Sequence, residues 1–248
     1  MKIINMKNAT LASQYVATEL FKVIDNNSAA VLGLATGNTM LEVYRNLNTL
    51  ISANKLNLKN VKTFNLDEYV GLNASHPQSY HTYMRQQLFK YNDTWDEKHI
   101  FIPNGISKDV KAECQAYEQH LNKYGPVDIQ ILGIGENGHI GFNEPGASFD
   151  SITRVVDLSD STINANSIHF DNKNCVPKQA ISMGIASIMQ ARRIILLALG
   201  ASKHTIIQQL LTCDVTETLP ASILHTHPNV EIIVDDAVYF GESNGDHR

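Results

Sequence analysis

The sequence predicts an α/β protein: a single doubly wound, mostly parallel sheet flanked by helices in a Rossmann-like arrangement. Short runs rich in apolar and β-branched residues alternate with segments of helical periodicity over nearly the whole chain. One run, residues 194–199, is apolar at every position, as in strands that are covered on both faces. With 248 residues, 43% of them hydrophobic, the chain is long enough to bury one large core.

The predicted elements follow one another in a regular order. The strands cover residues 30–34, 61–64, 127–132, 193–199 and 230–234. The helices cover residues 11–24, 39–51, 79–89, 110–124, 178–189 and 203–211. No repeat, low-complexity tract or long linker divides them. We therefore expect one catalytic α/β domain over residues 1–240, followed by a polar tail, residues 241–248, that frays.

Composition and charge argue against several classes of partner. A net charge of -5, an isoelectric point near 6.0 and no run of Lys and Arg leave no basic face for nucleic acid. Cys114, Cys175 and Cys213 are odd in number and match no metal-binding pattern, which predicts reduced thiols and no metal. Residues 1–10 lack the apolar core of a signal peptide, and no segment approaches the roughly 18 apolar residues of a membrane span. We expect a soluble, cytoplasmic protein.

Four segments lie where predicted strands end, which is where ligands bind in such sheets: residues 35–39, 65–69, 133–146 and 200–203. The first joins a strand to a helix through Thr36, Gly37, Asn38 and Thr39. Backbone N–H groups at such a junction favour an anion, so this loop is a candidate phosphate site. The alternative is that Thr and Asn only cap the helix.

The segment at 133–146 begins with GIGENG, which formally matches a dinucleotide-binding fingerprint. That fingerprint needs a helix directly after its last glycine, whereas Gly141, Pro145 and Gly146 interrupt any helical pattern here. The absence of such a helix argues against a nicotinamide enzyme. The same glycine-rich loop instead concentrates polar side chains where backbone can approach a ligand closely. They are Asn137, His139, Asn143 and Glu144.

Two long motifs carry a family resemblance. FNLDEYVGL at 64–72 and GIGENGHIGFNEPG at 133–146 closely resemble glucosamine-6-phosphate deaminases. The resemblance extends to the Thr-Gly-x-Thr loop, to Ala-Asn-Ser at 165–167, to Val-Pro-Lys at 176–178 and to Gly-x-x-Lys at 200–203. It implies the conversion of glucosamine 6-phosphate and water to fructose 6-phosphate and ammonia, in amino-sugar catabolism. The implied partner is a hexosamine 6-phosphate substrate, and neither a cofactor nor a metal is expected.

The resemblance also implies catalytic roles. Asp67 matches the base that removes the C2 proton, and we expect it to be ionised at neutral pH; outside the motif it would be an ordinary cap or salt-bridge residue. His139 matches the acid/base that opens the sugar ring. Glu144 matches the carboxylate that orients this histidine, and Asn137, which is Asp in some members, is expected to hydrogen-bond the imidazole without adding charge. His225 and His227 are interpreted as structural.

Phosphate binding in the family implies Thr36, Gly37, Asn38, Thr39 and Lys203. Asn38 replaces a second glycine of the family loop, which is tolerable because Asn adopts left-handed backbone conformations more readily than most residues. The family's phosphate-binding Arg falls on Ile168, so a bidentate contact is absent. His169, Lys173 and Lys178 are alternative cations near this position.

Three alternatives stay open at this point. 6-Phosphogluconolactonases use the same fold, and so do sugar-phosphate sensor domains of bacterial repressors, which carry an additional DNA-binding segment. A non-catalytic sugar-phosphate-binding paralogue is the third, because Ile168 stands where the family has its phosphate-binding Arg.

The sequence also does not choose between gluco and galacto substrates. It leaves open whether the chain is a homo-oligomer, because the family includes regulated hexamers as well as short forms, and this chain resembles the short forms.

Overall fold

The computed structural model describes residues 1–170 and 175–241. Its main sheet has seven parallel strands in the order β1-β10-β9-β6-β2-β3-β5. These strands are β1 (Lys2–Asn5), β2 (Val31–Leu34), β3 (Lys62–Asn65), β5 (Ile100–Phe101), β6 (Ile129–Leu132), β9 (Ile194–Ala198) and β10 (Val230–Val234). The mostly parallel, doubly wound sheet is thereby confirmed, with β1 and β5 as additional edge strands.

Helices cover the main sheet, and short 3-10 turns connect several of the elements. The helices are α1 (Ala9–Asn26), α2 (Leu41–Ala53), α3 (Tyr80–Gln87), α4 (Val110–Tyr124), α5 (Asp160–Asn166), α6 (Ile185–Met189), α7 (His204–Thr212) and α8 (Asp236–Phe240). The 3-10 turns that bear on the site are Asn38–Met40, Ser167–His169 and Ala201–Lys203. Every residue of β2, β6 and β9 is buried, as expected for central strands with helices on both faces.

A second, smaller sheet was not predicted. It consists of β4 (Asp67–Tyr69), β8 (Gln179–Ser182) and β7 (Arg154–Asp157), paired antiparallel in the order β4-β8-β7. Only Leu66 separates β3 from β4, so the chain passes from one sheet to the other within a single residue. Leu66 is paired on both sides, since its N–H donates to Leu34 O (3.1 Å) and its carbonyl accepts from Met183 N (2.7 Å).

The prediction of one helix over residues 178–189 is wrong. Residues 179–182 form the central strand of the small sheet, and helix α6 begins only at Ile185. A short apolar segment fits a strand or a buried helix equally well, so long-range pairing with β4 and β7 decides the outcome. Met183 and Gly184 separate the two elements, and a Cβ at Gly184 would lie 2.1 Å from the carbonyl oxygen of Ser151.

Candidate active site

A cavity of about 610 Å³ lies at the carboxyl ends of β2, β3, β6 and β9, where the four predicted loops meet. The predicted site residues that line it are Thr36, Gly37, Thr39, Asp67, Asn137, His139 and Lys203. Asn38 and Glu144 are not among the lining residues. The structure thus brings the predicted residues to one place, as the rule for strand ends requires.

Asp67 is the first residue of β4 and is only 7% exposed. Its Oδ2 atom lies beside Gly141, where a Cβ would be 3.7 Å from it. Burial, and after it the negative charge of Glu68, raises the pKa of Asp67 to about 8. The expectation of an ionised carboxylate at neutral pH is therefore wrong for the free protein. A group that titrates near pH 8 can accept a proton and return it at physiological pH.

Glu68 has a role that the sequence did not indicate. Because adjacent strand residues point to opposite faces, the side chain of Glu68 points away from that of Asp67. Glu68 is buried, with 1% of its surface exposed. Its Oε1 accepts from the backbone N–H groups of Tyr69 (2.8 Å) and Tyr80 (3.1 Å), and its Oε2 accepts from His81 N (3.1 Å) and lies 2.9 Å from His81 Nδ1. The carboxylate thus holds the N-terminus of α3 against the strand that carries Asp67.

His139 stands on the loop after β6, with its ring against the backbone of Gly135. Its Nδ1 lies 3.5 Å from Glu144 Oε2 and has no hydrogen-bond partner among the described residues. Asn137 Nδ2 donates to the same Glu144 oxygen (2.7 Å), and Asn137 Oδ1 accepts from the backbone N–H of His139 (3.2 Å). Asn137 therefore bonds the carboxylate and the histidine backbone, and the expected bond to the imidazole is not formed.

Glu144 lies behind His139, with its side chain 17% exposed. Its Oε1 accepts from Ser159 Oγ (2.9 Å) and from Thr162 Oγ1. Burial raises the pKa of Glu144, but His139 and the donors Thr162 and Asn137 outweigh that effect and lower it to about 2. The group is therefore anionic at every physiological pH, and its Oε2 presents this charge 3.5 Å from His139 Nδ1.

Asn143 proves to be a structural member of this loop. It is fully buried, and its Nδ2 donates to the carbonyl oxygens of Ile140 (2.9 Å) and Met183 (2.9 Å). Its Oδ1 accepts from Nη1 of Arg154 (2.8 Å), a residue of β7. Asn143 thus fixes the loop of His139 and Glu144 to the small sheet.

The candidate phosphate loop begins at Gly37, whose φ of 100° lies in the region that favours glycine. The following 3-10 turn runs directly into α2, so backbone N–H groups and a helix N-terminus face the cavity. Two tyrosine hydroxyls hold the loop through its backbone: Tyr44 Oη donates to Ala35 O (2.5 Å), and Tyr83 Oη donates to Gly37 O (2.8 Å).

Lys203 approaches the cavity from the end of β9. Gly200, with φ of 84°, starts the turn that carries it, and the Gly200 N–H donates to Asp235 Oδ2 (3.0 Å). Burial lowers the pKa of Lys203, while the charge of Glu136 at the cavity wall opposes that shift. Within residues 1–170 and 175–241, Lys203 is the only Lys or Arg that lines the cavity.

Comparison with known proteins connects this geometry to a family. A family model described as glucosamine-6-phosphate isomerases/6-phosphogluconolactonase matches residues 6–233. The chain belongs to this family. It is 60% identical to a glucosamine-6-phosphate deaminase of Staphylococcus haemolyticus over 239 residues, which cover 96% of this chain and 99% of the relative. It is 58% identical to a glucosamine-6-phosphate deaminase of Staphylococcus epidermidis, covering 95% and 97%.

Solved structures of family members superpose closely. A monomeric glucosamine-6-phosphate deaminase matches with a TM-score of 0.95 and 42% identity, covering 98% of this chain and 100% of that one. A 6-phosphogluconolactonase from Trypanosoma brucei matches with a TM-score of 0.79 and 18% identity, covering 98% of both chains, which shows the shared fold alone. The α/β architecture is thus common to members with different reactions.

The residue on which the resemblance places the family's phosphate-binding Arg is Ile168. Ile168 lies on the 3-10 turn after α5, is 76% exposed and does not line the cavity. Lys178 is exposed and is also absent from the cavity wall. Lys173 and the side chain of His169 lie outside the described residues, as do residues 242–248 of the expected polar tail.

The glycine-rich segment at 133–138 lacks the geometry of a dinucleotide site, because no helix begins directly after Gly138. His225 and His227 place Nε2 at 2.6 and 2.7 Å from the carbonyl oxygens of Leu210 and Ala191, outside the cavity. In the part of the chain that the structure describes, no three His, Cys, Asp or Glu side chains are grouped to hold a metal ion. None of the described helices combines the length and apolarity that crossing a bilayer requires.

Proposed function

We propose that this enzyme is a glucosamine-6-phosphate deaminase that converts glucosamine 6-phosphate and water to fructose 6-phosphate and ammonia. The observation that carries the proposal is that Asp67 and His139 line one cavity together with Thr36, Gly37, Thr39 and Lys203. The names of relatives that are 58 and 60% identical over nearly the whole chain support the same substrate. Because water is consumed, the reaction belongs to the hydrolases that act on amino-sugar phosphates.

In the proposed first step, His139 opens the pyranose ring. The imidazole takes the proton of the C1 hydroxyl and delivers a proton to the ring oxygen, which breaks the bond between C1 and that oxygen. The anionic Glu144, 3.5 Å from Nδ1, stabilises the imidazolium that forms in between. Asn137 fixes the position of this carboxylate.

In the second step, Asp67 transfers the C2 proton to C1. The open-chain 2-ammonio aldehyde loses its C2 proton to the carboxylate while one proton passes from nitrogen to O1, which gives an enolamine. The enolamine takes the C2 proton back at C1, which leaves an iminium at C2 and the carboxylate ionised. Water then adds to C2, and loss of ammonia leaves the ketose. Only the ionised carboxylate can begin this step, so a pKa of about 8 makes the proton transfer sensitive to pH near neutrality.

The phosphate would be held by another part of the cavity wall. Backbone N–H groups of the Thr36–Thr39 loop and the ammonium of Lys203 supply positive charge against a net charge of -5 for the whole chain. We propose Thr36, Gly37, Asn38, Thr39 and Lys203 as this anchor. Of these, Asn38 contributes through its backbone in the 3-10 turn.

Ammonia release from a panel of hexosamine 6-phosphates, with chelator-treated enzyme, tests the proposal. We expect release from glucosamine 6-phosphate and its loss in Asp67→Asn. Release only from galactosamine 6-phosphate would reassign the substrate, and hydrolysis of 6-phosphogluconolactone without ammonia release would reassign the reaction. Binding of glucosamine 6-phosphate without turnover would show a sugar-phosphate-binding paralogue.

A further inference from the structure

Two hydroxyl groups fasten helix α5 to the carboxylate of Glu144. Ser159 is the N-cap of α5: its Oγ accepts from Thr162 N (3.2 Å) and donates to Glu144 Oε1 (2.9 Å). Thr162 Oγ1 donates to the same oxygen. Thr162 is 5% exposed and also lines the cavity, so its hydroxyl is withdrawn from bulk water and is committed to Glu144.

The other oxygen of this carboxylate faces the catalytic histidine. Glu144 Oε2 accepts from Asn137 Nδ2 (2.7 Å) and lies 3.5 Å from His139 Nδ1. An ionised carboxylate has about four lone-pair directions, and donors on both oxygens restrict its rotation. The hydroxyls of α5 therefore determine which edge of the carboxylate His139 meets.

Helix α5 is itself anchored on the wall of the site. Ile163 and, just beyond the helix, Phe170 pack against an apolar cluster that includes Tyr69 and Phe142. The rings of Tyr69 and Phe170 meet edge to face, with centroids 5.9 Å apart. The hydroxyls of Ser159 and Thr162 are thus presented from a packed element.

We propose that Thr162, together with Ser159, is a positioning residue for ring opening, holding Glu144 in the orientation that serves His139. The inference deepens the proposed deaminase function and rests on it. Thr162 touches neither of the atoms between which a proton moves; it acts through Glu144. Loss of its hydroxyl should therefore affect the step that uses His139 and leave the step that uses Asp67.

The test compares Thr162→Val, which keeps the shape, with Thr162→Ser, which keeps the hydroxyl. Two substrates separate the steps: glucosamine 6-phosphate, and an analogue without the 4- and 5-hydroxyls, which can close neither a furanose nor a pyranose ring. For Thr162→Val we expect kcat on the cyclic substrate to fall about tenfold, the loss expected from one hydrogen bond to a charged group. KM, and turnover of the open analogue, should change little, and Thr162→Ser should restore most of the activity.

Thr153→Val is a matched control. Thr153 is 4% exposed and donates through Oγ1 to the buried carboxylate of Glu118 (2.7 Å), away from the cavity. We expect it to lower thermal stability without discriminating between the two substrates. Equal losses on both substrates in Thr162→Val, wild-type kcat in that variant, or no rescue by Thr162→Ser would each overturn the inference. Thr162→Ala replaces Thr162→Val if the latter does not fold.

A spectroscopic measurement separates this inference from the proposed function. If the wild type releases no ammonia, the proposed function fails, and the imidazole ¹⁵N signals of His139 still report on its partner. These signals are identified by their loss in His139→Gln. We expect Thr162→Val to move them and Thr153→Val to leave them in place; unmoved signals in Thr162→Val would contradict the positioning role.

Discussion

The imidazole of His139 occupies the space that a side chain at Gly135 would need. A Cβ at Gly135 would lie 2.2 Å from Cε1 and 2.4 Å from Nδ1 of His139. We therefore predict that Gly135→Ala displaces the ring and lowers kcat on the order of 10²-fold, the loss that a misplacement of about 1 Å produces. Gly133→Ala is the comparison, because a Cβ there meets no atom within 4 Å. Equal kinetics for both variants would show that the ring tolerates displacement.

Asp67→Asn should reduce turnover by at least about 10²-fold while substrate binding is retained, because the positioned base is lost. Isothermal titration and kinetics on the same preparation separate the two effects, and circular dichroism verifies the fold. A variant that kept most of the activity would remove Asp67 from the mechanism.

The same substitution should stabilise the protein in alkaline solution. The folded-state pKa of Asp67 is raised to about 8, above the usual value of 3.8, so the native state binds more protons than the unfolded state between these pH values. Stability contributed by the protonated group is present below about pH 4 and is lost as pH rises through 8. We predict that Asp67→Asn exceeds the wild type in free energy of unfolding by a few kcal/mol at pH 9, and that the difference disappears near pH 4. Denaturant titrations at both pH values measure it.

Glu68→Gln should move the pH profile. Removing the negative charge of Glu68 lowers the pKa of Asp67, so the rise of kcat/KM with pH should begin at lower pH than in the wild type. Gln keeps one acceptor oxygen for the N–H groups of Tyr69 and Tyr80. An unshifted profile in a folded variant would falsify the electrostatic influence of Glu68 on the base.

His139→Gln should slow ring opening more than exchange of the C2 proton, since the two steps use different groups. Solvent deuterium incorporation, measured with the cyclic substrate and with the analogue that lacks the 4- and 5-hydroxyls, distinguishes them. The analogue should recover part of the rate. A loss of the same size on both substrates would contradict the assignment of ring opening and C2 proton exchange to different residues.

Ile168→Arg should lower KM roughly tenfold with little change in kcat, because a charge-assisted contact to phosphate is worth about 1.5 kcal/mol or more. Ile168 is 76% exposed, so the substitution costs little packing. Lys203→Ala should act in the opposite direction and raise KM. An unchanged KM in Ile168→Arg would show that this turn does not reach the phosphate.

The location of the site was predictable because the apolar runs show in the sequence where each buried strand ends. The loops at Thr36, His139 and Lys203 follow strands that are buried along their whole length, and parallel strands bring their carboxyl ends together. Local pattern and topology were sufficient for this part of the prediction.

Contacts between distant segments were not predictable in the same way. Glu68 meets residues ten or more positions away, and Ser159 and Thr162 meet Glu144 across 15 and 18 positions. The protonation of Asp67 also depends on burial, which exists only once the small sheet has formed. No single-sequence pattern encodes such pairings, since many other Ser, Thr and Glu residues have similar neighbours.

Because the chain passes from one sheet to the other at Leu66, the residues of the site are distributed over both sheets. Thr36, His139 and Lys203 follow strands of the parallel sheet, whereas Asp67 belongs to the antiparallel one. Under the proposed function, one sheet thus positions the groups that bind the phosphate, and the other positions the base that removes the C2 proton. Substitutions in the small sheet would therefore move the base without altering the strands that carry the proposed phosphate anchor.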